Sequence, residues 1–114
     1  MIKISIVCVG KIKEKFFRDA IEEYSKRLSR YCSLEITEVA DEKAAENLSP
    51  AEEEAVRERE GERLLKQIRG DAYVITLDLQ GKQLSSEQLA AQMEDLVLRG
   101  ESRITFVIGG SLGL

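Results

Sequence analysis

Ile104-Thr105-Phe106-Val107-Ile108-Gly109-Gly110-Ser111-Leu112-Gly113-Leu114 is the stretch on which the fold turns. A run of β-branched and aromatic residues with no polar alternation predicts a strand buried on both faces, as in a parallel sheet. The run stops on paired glycines, which predicts a loop whose backbone comes close to something. In open parallel sheets, ligands lie beyond the carboxyl ends of the strands, so Gly109 and Gly110 are candidate site residues.

Working outward, the same signals recur upstream. Tyr73-Val74-Ile75-Thr76-Leu77-Asp78-Leu79 is a second apolar run, predicting a central strand that ends at Gln80-Gly81-Lys82. Between the two runs, Ser85 and Gln88 form a capping box, and Leu89, Met93, Leu96 and Val97 recur at helical spacing until Arg99 and Gly100 supply a C-cap. Farther back, Ser49-Pro50 with Glu52 opens another helix, running to about Ile68. Its first half is crowded with Glu52, Glu53, Glu54, Arg57, Glu58, Arg59 and Glu60, which reads as a solvated, ion-paired face that buries only Ala51, Ala55 and Val56. Ala40–Leu48 is polar and acidic, a loop. Leu34–Val39 alternates strictly and predicts a half-exposed strand near a sheet edge.

At the start of the chain, Ile2–Val9 predicts a strand closed by Gly10. From about Glu14 the period changes, and Phe17, Ile21, Tyr24, Leu28 and Tyr31 fall on one helical face, widened by Phe16 and Ala20. We expect that stripe to be core rather than a platform for stacked bases. The predicted order is strand, helix, strand, helix, strand, helix, strand. It implies one α/β domain over residues 1–114, with a parallel sheet, right-handed crossovers and helices on both faces.

The composition excludes several functions. No apolar run is long enough to span a membrane, and the start of the chain lacks a signal peptide's features, so we expect a cytoplasmic protein. The chain has no histidine and two cysteines without metal spacing, so no metal is expected. Cys8 reads as a small buried hydrophobe, and Cys32 lies near a helix end. Ser111 lacks a histidine partner, and the glycines fit neither a dinucleotide fingerprint nor a P-loop. What remains open at the strand ends is a plain turn, or a backbone-lined adenosine pocket with Leu77 giving apolar contact. Asp78 and Lys82 are the charged residues of the loop after Leu77, and each reads either as solvated or as catalytic.

Net charge is −4, yet residues 1–30 carry 8 Lys and Arg against 4 Asp and Glu. Lys11, Lys13, Lys15 and Arg18 are the densest part of that excess, read either as a solvated helix face or as a patch that contacts phosphate.

Six segments in order carry a resemblance over the whole chain: Ile2–Lys11; Ile21–Leu28; Asp41-Glu42-Lys43 to Glu46-Asn47; Glu60-Gly61-Glu62-Arg63-Leu64-Leu65; Val74–Lys82; and Phe106–Ser111. Together they resemble the bacterial ribosomal RNA large subunit methyltransferase H family, of the knotted SPOUT superfamily. The resemblance implies a cytoplasmic homodimer that uses S-adenosylmethionine to methylate N3 of a pseudouridine in 23S ribosomal RNA on the assembled ribosome. It matches Leu77 and Gly109 to cofactor-contacting positions, with Gly110 beside the second. Family members continue past the Gly-Gly loop into the segment that threads the knot, supplies a third cofactor loop and dimer helix, and carries the candidate proton acceptors. On that comparison the chain reads as the N-terminal portion of a SPOUT enzyme without its knot-forming segment and with impaired activity. A non-enzymatic remnant that binds the ribosome or a protein partner through the basic N-terminal loop, or an unrelated nucleotide-binding domain, are the other readings.

Overall fold

The computed structural model describes residues 1–43 and 46–114; of the expected 40–48 loop, residues 44 and 45 lie outside the described residues. The elements are β1 (Ile2–Val9), α1 (Lys15–Leu28), β2 (Cys32–Val39), α2 (Pro50–Leu65), β3 (Tyr73–Leu77), α3 (Ser86–Leu98) and β4 (Arg103–Ile108). The four strands are all parallel, in the order β2-β1-β4-β3. This is the α/β architecture that the periodicities predict.

Register sorts the side chains by face. Val7 pairs with Val107, and those two form the core with Leu64 of α2, flanked by Val9, Val39 and Ile68. Ile6, Cys8, Leu34, Ile36 and Ile108 point the other way, toward Ile21 and Leu28 of α1. Helices α1 and α2 therefore cover opposite faces. Right-handed crossovers put α3 on the α1 face, because β1 to β2 and β3 to β4 run in the same direction across the sheet.

The caps are as the sequence predicts. Ser49 accepts from the Glu52 N–H, and the Glu52 side chain returns to the Ser49 N–H, with Pro50 at the first helical position. Ser85 and Gln88 repeat the arrangement on α3. At the far end of α3 the Gly100 N–H donates to Val97 and the Glu101 N–H to Leu96, a Schellman closure that needs the positive φ of Gly100.

Three expectations need correction. The stripe on α1 is not core: the helix has no buried residue, and Phe16, Phe17, Tyr24 and Tyr31 are all more than half exposed. Its inner side faces an open groove of about 700 Å³ against the sheet rather than a closed interior. Strand β3 is not central. It forms the other edge of the described sheet and stops at Leu77, because Asp78 turns the chain. Cys8 is half-buried, its thiol donating to the Thr37 carbonyl at 3.7 Å, whereas Cys32 opens β2 and is the buried one.

Candidate active site at the strand ends

Leu77 pairs with Ile108, so the last residue of β3 stands beside the last residue of β4, and Gly109-Gly110 leave the sheet immediately after. The register therefore gathers all three candidate residues at one end of two adjacent strands. Leu77 is half exposed on the α1 face, available as an apolar wall. Beyond Gly109 the chain folds back in a tight turn, with the Gly113 N–H donating to Gly110 at 2.9 Å and Gly113 at positive φ.

The two glycines are constrained by different neighbours. A Cβ on Gly109 would lie 2.7 Å from the carbonyl carbon of Gly113, so its bareness lets the chain's own turn close. A Cβ on Gly110 would lie 2.9 Å from Oε1 of Glu60 and 3.1 Å from Cγ1 of Val9. Gly110 is thus packed against α2, on the side of the sheet away from Leu77.

Glu60 was placed by sequence among the solvated charges, and the structure overturns that. It is 4 % exposed, lying on the same helical stripe as Val56 and Leu64. Its Oε2 accepts from the Glu42 N–H at 3.0 Å, while Oε1 is buried without a partner among the described residues. Leaving such an oxygen unpaired costs about 1–3 kcal/mol. A legible signal existed, since Glu60 is four residues from both Val56 and Leu64, the spacing of one buried face.

Around Glu60 the loop after β2 is fastened to α2. The Glu42 carboxylate pairs with Arg59 and, at 3.0 Å, with Arg63, whose guanidinium also donates to the Ala40 carbonyl. The Arg63 hydrogen bond comes first among the causes that hold the Glu42 carboxyl below its ordinary value; burial opposes it, and the Arg59 bond and both positive charges tip the balance further down.

The other candidates have structural uses. Asp78 accepts from the Gln80 N–H with its side chain, and its carbonyl receives the Gly81 N–H, so its polar groups close its own turn. Lys82 and Ser111 are exposed. Burial, then the Glu38 charge, push the Cys8 thiol up, which keeps it protonated and a poor nucleophile at neutral pH. Among the described residues no cluster of three metal-ligating side chains occurs, and no helix is long and apolar enough to cross a membrane.

A parallel sheet with an apolar wall and a glycine turn at one strand end, and no nucleophile-base pair among the described residues, suits a reaction in which the protein mainly binds and orients its reactants. Residues 2–114 match the family described as "Predicted SPOUT methyltransferase", and the chain belongs to that family of methyl-transferring enzymes. It is 60% identical over 112 residues to the ribosomal RNA large subunit methyltransferase H of Bifidobacterium adolescentis, covering 98% of this chain and 70% of that protein. Proteins of the same name from Desulfitobacterium hafniense and Clostridium beijerinckii are 56% and 54% identical, covering 100% and 97% of this chain and 71% and 70% of theirs.

Proposed function

We infer that this chain carries the methyl-donor crevice of an enzyme that methylates N3 of a pseudouridine in 23S ribosomal RNA, with S-adenosylmethionine as donor. The observation that carries the reading is the end-to-end similarity to relatives named ribosomal RNA large subunit methyltransferase H. The strand ends suit the donor: Leu77 offers exposed apolar area to a flat adenine ring, and the Gly109-Gly110 backbone leaves β4 at the same end of the sheet. When bound, the sulfonium supplies an activated methyl group for in-line displacement. The residues of this chain would hold the donor in one orientation, and orientation of the two reactants supplies much of the acceleration of such a step.

The partners belong to the same reading: the ribosome in the cytoplasm, and a second copy of the chain in a homodimer. Lys11 and Lys13 are exposed in the loop after β1, at the end of the sheet that also holds the glycine turn, where they would meet RNA phosphates. The product of the gene, incubated with labelled S-adenosylmethionine and ribosomes lacking the modification, is expected to place label on N3 of a 23S pseudouridine. Absence of label there would overturn the reading, and salt-sensitive ribosome binding without label would leave the non-enzymatic binding role instead.

A further inference from the structure

Among the described residues Glu60 is the one charged side chain that is nine-tenths buried, and its surroundings are not those of a stabilising ion pair. It occupies the middle of the buried stripe of α2, where an apolar residue would pack without loss of hydration. One oxygen holds the loop after β2 through the Glu42 N–H. The other, unpartnered, lies against Gly110 after β4, at a distance that leaves no room for a Cβ. Strands β2 and β4 are not neighbours, since β1 lies between them, and Val9 at the end of β1 meets the same point. The carboxylate thus bonds the loop after β2 with one oxygen and packs the other against the residue pair after β4, from behind the crevice.

We propose that Glu60 is a positioning residue of the methyl-donor crevice: it fixes the Gly109–Gly113 turn against the loop after β2 and so sets the shape into which the donor fits. This rests on the methyl-donor reading of the strand ends. Arg59 and Arg63 grip the same loop through the Glu42 side chain and Ala40, and Glu60, bonded to that loop, packs against Gly110 of the glycine turn. Glu60 does not act on the donor itself, because it lies on the α2 face of the sheet and Leu77 on the opposite one.

The test compares Glu60→Gln, which keeps an oxygen for the Glu42 N–H, with Glu60→Met, which keeps an unbranched side chain of similar size but no acceptor. S-adenosyl-L-homocysteine affinity is measured by calorimetry, amide exchange at residues 109–113 and in β1 by mass spectrometry, and stability by urea unfolding. Glu60→Gln is expected to bind within about threefold of the unmodified chain, and Glu60→Met about tenfold more weakly, with faster exchange in the turn, unchanged exchange in β1 and undiminished stability. Equal binding and unchanged turn exchange in Glu60→Met would overturn the proposal. So would a loss of protection spread evenly over β1 and the turn, which marks a role in the fold alone. Should the unmodified chain fail to bind S-adenosyl-L-homocysteine, the methyl-donor reading fails, while exchange in the turn still decides whether Glu60 holds it.

Discussion

A methyl group at Gly109 would press on backbone, the carbonyl carbon and oxygen of Gly113 at 2.7 and 2.8 Å, whereas one at Gly110 would press on side chains, Glu60 and Val9. Backbone in a closed turn has nowhere to go; a side chain can shift once it is shortened. Gly110→Ala is therefore expected to destabilise the chain by about 1–3 kcal/mol in urea unfolding. Adding Glu60→Ala should recover part of that loss, and Gly109→Ala should have no such suppressor at position 60. Strictly additive losses for the 60/110 pair would show that the two do not touch. At the core, Leu64 is 3 % exposed against Val7 and Val107, and Leu64→Ala is expected to cost about 2–5 kcal/mol by the same measurement.

The helices divide by how they are fastened. Helix α2 is fixed at its start by the Ser49–Glu52 box and along its length by Val56, Glu60 and Leu64. Removing the cap hydroxyl with Ser49→Ala should cost about 1 kcal/mol in urea unfolding. The backbone hydrogen bond at Ser49, then that residue's hydroxyl, hold the Glu52 carboxyl below its ordinary value of 4.5, and Arg63 and Arg59 do the same for Glu42. Carboxyls with folded values below their unfolded ones contribute stability that is present above the unfolded value and lost as pH falls through the folded one. Urea midpoints should therefore fall on acidification below about pH 4.5, and less steeply in Glu52→Gln, which has no carboxyl to titrate; equal slopes would remove Glu52 as a cause. Helix α1 carries instead the basic loop before it. Replacing Lys11, Lys13 and Lys15 with glutamate should weaken ribosome binding and flatten its dependence on salt, which filter binding at several ionic strengths would show.

Over the whole molecule the two faces of the sheet differ. The α2 face is closed by Val7, Leu64 and Val107, while the α1 face remains an open apolar groove. The order of elements, both capping boxes, the C-cap at Gly100 and the edge position of β2 were legible in sequence, because each depends on residues within one or two turns or on simple alternation. So was the meeting of the ends of β3 and β4, since parallel strands bring their carboxyl ends to one side, but not that Gly110 turns to the α2 face, away from Leu77. Periodicity told which side of α1 is apolar but not whether anything covers it, for burial depends on what the rest of the chain supplies. Likewise β3 reads as central from its composition, while its place at an edge is set by pairing. Glu60 is the sharpest case: its charge suggests solvent, and only packing of α2 beneath the ends of β2, β1 and β4 puts the carboxylate against Gly110. Local chemistry thus determined the elements and their caps, and tertiary structure decided which faces close and which charge lies inside, because burial is a property of neighbours distant in sequence.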